Sequence, residues 1–198
     1  MIIWINGAFG SGKTNTAYEL QRRIPQAFVY DPEEMGFFLR SNLPKGLKEG
    51  DFQDFPLWCG FNYQMLRYME ERYQGIIIVP MTVVNEAYFN ELIGQIKKDG
   101  FDIKHFTLMA DGKTLLKRLR KRGDGKNSWA AKQIDRCIHH LNRPLFAEHI
   151  KTDDMSLQQV VEHIAEKCAI QLLKDERNWL IRKKDRVLIW LRHIRWIK

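Results

Sequence analysis

The sequence predicts an α/β fold, a five-stranded parallel sheet flanked by helices. Three observations carry this. Short apolar runs alternate with longer stretches of helical period, the pattern of strands joined by helical crossovers. The run Ile76–Val79 is continuously aliphatic, which fits a strand covered on both faces, as parallel sheets require. A glycine-rich turn follows the first apolar run directly and opens the first helical stretch.

The elements follow in order. Ile2–Ile5 reads as a buried strand and Thr14–Arg23 as a helix ended by Pro25. Ala27–Tyr30 is a second strand, stopped by Asp31-Pro32, and Glu33–Arg40 is helical. A polar loop with Pro44, Gly46 and Gly50 leads to the helix Leu57–Tyr73, whose apolar face is expected at Phe61, Met65, Tyr68 and Met69. After the strand Ile76–Val79 come a helix over Glu86–Lys98 with Gly100 as its stop, a fourth strand over Ile103–Met109 and a helix over Lys113–Arg122. Residues 123–128 form a turn-rich break. Trp129–Leu141 reads as one helix, with Ala130, Ile134, Cys137, Ile138 and Leu141 on its apolar face. His149–Thr152 is a short fifth strand, and Ser156 caps the helix Leu157–Ala169. Residues 1–170 are expected to form the main domain, with a lid over about 118–141, and 171–198 a basic amphipathic C-terminal helix.

Composition narrows the class. At 198 residues and 44% hydrophobic content, the chain can bury one sizeable core. It has no run of eighteen apolar residues and no secretory signal. Cys59, Cys137 and Cys168 are scattered, which suggests neither a disulfide framework nor a zinc site. A reduced, cytoplasmic setting fits best. The net charge of +8 is lopsided, because residues 177–198 carry eight basic residues against the single acid Asp185 and so hold +7 of it.

The chemistry starts at Gly7-Ala8-Phe9-Gly10-Ser11-Gly12-Lys13-Thr14, which matches the phosphate-loop pattern G-x-x-x-x-G-K-[ST] in full. Its glycines let backbone N–H groups curl around phosphate, and the following helix adds its positive dipole end. Lys13 is assigned to the β- and γ-phosphates of ATP and the Thr14 hydroxyl to Mg²⁺. The competing reading is a glycine-rich turn with a solvated lysine; the strand before and helix after the motif weigh against it.

In switch GTPases and motor ATPases an acid at the end of a central strand holds Mg²⁺. Here the strand Ile76–Val79 runs into Pro80-Met81-Thr82, with no carboxylate. The nearest loop acid is Asp31, at the ligand-binding edge of the sheet. There it suits an acceptor hydroxyl that must be oriented and deprotonated, although Asp-Pro also begins ordinary turns. Arg118 and Arg122 share a helix face across the break from Lys132 and Arg136. Together they read as a basic helix–loop–helix lid that closes over ATP and steadies the transferring phosphoryl group, or alternatively as a solvated basic surface. Lys13, Asp31, Arg118, Arg122 and Arg136 are the candidate catalytic residues, and Asp31, Lys132 and Arg136 also line the acceptor side.

Several stretches resemble one family. They are Trp4–Thr14, Tyr30-Asp31-Pro32-Glu33, Ile78–Thr82, His105–Ala110 and Gly125–Cys137. Together they are similar to the bacterial tunicamycin-resistance ATP-binding proteins, a branch of the nucleotide- and shikimate-kinase-like group, over most of residues 1–170. The resemblance implies ATP binding, a role in resistance to a lipid-linked nucleoside antibiotic, and association with a membrane. By analogy with the wider group it places Arg118 near the adenine and Arg40 near the acceptor. The run Pro80-Met81-Thr82 departs from adenylate kinase, where an acid-containing run is usual, and argues against a nucleoside-monophosphate acceptor.

On a helical wheel, Trp179, Leu180, Val187, Trp190, Leu191, Ile194 and Ile197 fall in one sector, with Lys183 as an intruder. Arg182, Asp185, Arg186, Arg192 and His193 lie opposite, interrupted by Ile189 and Trp196. A basic helix with tryptophans suits an anionic membrane surface, on the cytoplasmic face here. The alternatives are a helix packed on the domain with its basic face in water, and nucleic-acid binding, which is the least favoured. Three functions stay open: a kinase acting on tunicamycin or a similar amphipathic nucleoside, ATP-dependent sequestration of the drug, and a housekeeping small-molecule kinase. The sequence does not fix the oligomeric state.

Overall fold

The structure, a computed structural model, describes residues 1–193. Five parallel strands, β1 (Ile2–Gly7), β2 (Ala27–Val29), β3 (Ile76–Pro80), β4 (Ile103–Met109) and β5 (His149–Lys151), form one sheet in the order β2-β3-β1-β4-β5. The first strand is therefore central, pairing with β3 on one side and β4 on the other. Every residue of β1 is buried, which accounts for its unbroken apolar run.

Alternation along β1 divides the core. Ile2 and Trp4 join one cluster with Trp58, Leu66, Leu92, Leu115 and Cys137. Ile3 and Ile5 join a second with Ala17, Leu20, Val161 and Ile164. The first face is covered by α3 (Pro56–Arg72), by the run α4 (Glu86–Phe89), a π-helical turn Asn90–Gly94 and α5 (Gln95–Lys98), and by α6 (Gly112–Lys121) and α8 (Ile134–Leu141). The second is covered by α1 (Lys13–Arg23) and α9 (Leu157–Lys167). A capping box, Ser156 with Gln159, starts α9. The helix α2 (Pro32–Asn42) takes Asp31 as its N-cap, with Pro32 at the first position.

Three sequence expectations need correction. The helix α3 buries Trp58, Cys59, Asn62 and Leu66, while Phe61, Met65 and Tyr68 are exposed. The phase was obscured by Asn62, a polar residue at the centre of the buried face. It is satisfied there by the Tyr30 hydroxyl, which donates to its Oδ1 at 2.7 Å, and by the Trp58 carbonyl, which its amide reaches at 2.8 Å. The expected helix 129–141 is two, α7 (Trp129–Lys132) and α8, separated at Gln133.

The third correction concerns the tail. Residues 171–178 are not helical, and α10 spans Trp179–His193. It packs on α1 with the face expected to be wet. Ile189 is buried, and Asp185 and His193 are half-buried. Trp179, Leu180, Val187, Trp190 and Leu191 face out. The cause is ionic. Arg177 pairs with Glu19 and lies 2.7 Å from both Asp175 and Asp185, while Arg182 reaches Asp175 at 2.9 Å. Two of the tail's eight basic residues, Arg177 and Arg182, are thus paired with acids. Ile194, Arg195, Trp196, Ile197 and Lys198 lie outside the described residues.

Candidate active site

The phosphate loop joins the carboxyl end of β1 to α1. Gly7, Gly10 and Gly12 have φ of +148°, +84° and +103°, values that side-chain-bearing residues rarely adopt. A Cβ on Gly7 would lie 2.6 Å from the Ser11 hydroxyl and 2.8 Å from the Leu108 carbonyl. Gly12 is the N-cap of α1 and supplies no capping side chain, so the first-turn amides are left for an anion. The buried Ser11 hydroxyl has no hydrogen-bond partner. An uncapped helix start, an orphaned hydroxyl and a loop built of left-handed glycines fit a bound polyphosphate.

Lys13 folds back across the loop. Its ammonium donates to the carbonyls of Gly7 at 2.9 Å and Ala8 at 3.1 Å and stands 5.7 Å from the centre of the Phe9 ring. Burial lowers its pKa from 10.5 to about 8; Glu33, Cys137 and Asp31 oppose that shift, and Arg122 adds to it. The Gly7 and Ala8 carbonyls hold the ammonium within the loop, where a bound polyphosphate would meet it. Burial conversely pushes the Cys137 thiol up, with Lys13 opposing.

The end of β3 is tied to the loop in place of an acidic side chain. The Thr82 hydroxyl donates to the Gly7 carbonyl at 2.8 Å, and Gln53 donates to the Thr82 carbonyl at 2.9 Å. Asn6 completes the junction. Its Oδ1 accepts from the Gly7 and Val83 amides at 2.8 and 3.0 Å, and its Nδ2 donates to the Val83 carbonyl at 2.9 Å.

The other expected residues fall in distinct places. Asp31 Oδ1 accepts from the Glu33 amide at 3.0 Å, which orients the carboxylate. Thr14 is half-buried in the first turn of α1. Arg118 lies against the end of β5, donating to the Thr152 hydroxyl at 3.0 Å and to its carbonyl at 2.5 Å. Arg122 bonds Asp124 at 2.6 Å. Lys132 and Arg136 are exposed on α7 and α8. Arg40 donates to the Gly50 carbonyl at 2.9 Å, roughly 13 Å along α2 from Asp31 by helical rise.

Some residues were not anticipated as site members. Glu33 heads the charges acting on Lys13; its only sequence signal was its place in Asp31-Pro32-Glu33. The Trp129 ring meets Phe9 edge-on at 5.0 Å, so α7 touches the phosphate loop directly. Asn6 and Thr82 lie in stretches that carry the family resemblance but had no assigned role, and Gln53 lies in none; their bonds identify all three. Among the described residues, no helix is long and apolar enough to cross a membrane.

Comparison with known proteins agrees with this geometry. The family described as an AAA domain matches residues 2–144. No curated protein matches the chain. Among solved structures, the tunicamycin resistance protein of Deinococcus radiodurans is 34% identical with a TM-score of 0.75, over 88% of this chain and 99% of that one. A sugar kinase from a Janibacter species is 16% identical with a TM-score of 0.57, over 85% of this chain and 94% of that one. A shikimate kinase from Bacteroides thetaiotaomicron is 17% identical with a TM-score of 0.57, over 86% and 99%. At those two identities the likeness is one of fold.

Proposed function

The chain belongs to the AAA-domain family, in the phosphate-loop kinase-like group, and from that premise we propose that it transfers phosphoryl from Mg·ATP to a hydroxyl of tunicamycin or a similar amphipathic nucleoside. The observation that carries the reading is the Lys13 ammonium held inside the glycine loop by the Gly7 and Ala8 carbonyls, with Glu33 and Asp31 acting on its charge. ATP supplies the phosphoryl group, with Mg²⁺ neutralising its oxygens.

The chain's own residues do the rest. The loop amides and Lys13 cradle the phosphates, and Thr14 offers its hydroxyl to the metal. Asp31, fixed by the Glu33 amide, orients the acceptor hydroxyl and takes its proton. The segment α6–α7–α8 acts as the lid, with Arg118 on the adenine side and Arg122, Lys132 and Arg136 brought toward the phosphates as it closes. Arg40 lies on the acceptor side. Phosphoryl transfer gains most from such positioning and charge stabilisation.

Mass spectrometry of tunicamycin after incubation with the protein and Mg·ATP tests this. The expected result is drug carrying one added phosphate. Unchanged drug that co-elutes with the protein supports sequestration instead.

The outward apolar strip of α10 supports peripheral contact with the cytoplasmic face of an anionic membrane. Deleting residues 177–198 should release the protein from anionic vesicles in co-sedimentation while ATP affinity stays nearly constant. Equal pelleting of both forms refutes this.

A further inference from the structure

The C-terminal helix does more than cover α1. Two contacts give its course. Arg22 lies 3.6 Å from Asp185, and the Tyr18 hydroxyl is 3.5 Å from His193 Nε2. As α10 advances from Asp185 to His193, its partner on α1 moves back from Arg22 to Tyr18. The two helices are thus antiparallel, and α10 runs toward the end of α1 that carries the phosphate loop. Tyr18 is four residues beyond Thr14 and so shares its face of α1.

At the end of this course His193 meets Asp31. Its Nε2 is 3.7 Å from Asp31 Oδ2. The ring is fixed in two ways. Nδ1 donates to the Ile189 carbonyl at 2.7 Å, and the ring packs edge-on against Tyr18 with centroids 5.4 Å apart. With Nδ1 donating, Nε2 accepts from the Tyr18 hydroxyl when the ring is neutral and donates toward Asp31 Oδ2 when the ring is an imidazolium. The other carboxylate oxygen, Oδ1, is held by the Glu33 amide.

We propose that His193, delivered by the docked α10, is a positioning residue for the Asp31 carboxylate, so that the C-terminal helix completes the acceptor side of the site. The proposal rests on the reading of Asp31 as the acceptor-orienting group. It extends that reading to a segment beyond residue 144, where the family match stops. The ion cluster around Arg177 sets the register of α10 and hence where the imidazole lands.

Two measurements test it. In single-turnover transfer from Mg·ATP to tunicamycin, His193→Ala should slow the chemical step roughly 10- to 100-fold, the size that misplacing a reacting group by about 1 Å brings. Its ATP dissociation constant should stay at the wild-type value. His193→Gln offers an amide N–H in place of the imidazolium N–H and should recover most of the rate. Wild-type transfer by His193→Ala, or a Gln variant as slow as Ala, overturns the proposal. The second measurement needs no acceptor. A thermal-unfolding cycle of Asp31→Asn, His193→Ala and the double variant should show a combined shift smaller than the sum of the single shifts. Additive shifts overturn the proposal even where the wild-type protein phosphorylates nothing, so its failure is separable from failure of the proposed function.

Discussion

Lys13 should make ATP binding proton-linked. With a pKa of about 8 in the free loop, the side chain is about nine-tenths charged at pH 7 and about one-tenth charged at pH 9. A polyphosphate beside it favours the ammonium and returns the pKa toward its ordinary 10.5 or above. Binding should then take up about 0.1 proton at pH 7 and about 0.9 at pH 9. Because binding consumes a proton, affinity falls as pH rises through this window, approaching tenfold per unit, or about 1.4 kcal/mol. For the free protein the sign is reversed. A lysine whose folded pKa lies below its unfolded value opposes folding at low pH, and that penalty is relieved as pH rises from about 8 to 10.5. Isothermal titration of Mg·ATP in paired buffers of different ionisation enthalpy reads the uptake directly. Lys13→Met is the control and should remove the rise. Uptake that stays flat from pH 7 to pH 9, or an identical rise in Lys13→Met, refutes the reasoning.

Further tests follow from the loop and the tail. Gly7→Ala places a methyl against the Ser11 hydroxyl and the Leu108 carbonyl at a φ of +148°; it should lose measurable ATP binding and on the order of 1–3 kcal/mol of stability in urea unfolding. Glu19→Gln weakens a pair whose side chains are 6% and 15% exposed. It should cost about 1–3 kcal/mol, below the 3–5 of an isolated buried pair because Asp175 and Asp185 still hold Arg177. Faster trypsin cleavage near residues 171–178 would accompany that loss, and wild-type resistance would count against the cluster as the fastening. Trp129 rests on Phe9 at 5.0 Å, so ATP should shift tryptophan emission, and Trp129→Phe should remove most of the change.

What the sequence made legible was whatever obeys a period or a motif. All five strands fall where the apolar runs place them, because buried parallel strands need continuous apolar side chains. The phosphate loop was read residue by residue, because its backbone geometry demands glycine at fixed positions. The phase of α3 was misjudged because Asn62 is buried through bonds to partners, one of them 32 residues away in sequence. The orientation of α10 escaped the helical wheel for a similar reason. A wheel assigns charged residues to water, but Asp185 and Arg182 face acids and bases contributed by α1 and the 171–178 segment. Within the site, Lys13, Thr14 and Asp31 announce themselves by motif and position. Gln53, Thr82 and His193 are recognised only once the chain has folded.

The arrangement around α1 also orders events during synthesis. The strand β1 and helix α1 leave the ribosome long before the segments that cover them, since α9 begins at Leu157 and α10 at Trp179. At typical elongation rates of about 5–20 residues per second, roughly 150 residues separate α1 from α10, a delay of about 8 to 30 s. Through that interval Ala17, Leu20 and Ile24 lack Val161 and Ile164 against which to pack, and Glu19 lacks Arg177. The narrow apolar face of the nascent helix, at Ala17 and Leu20, is therefore completed only by chain not yet translated.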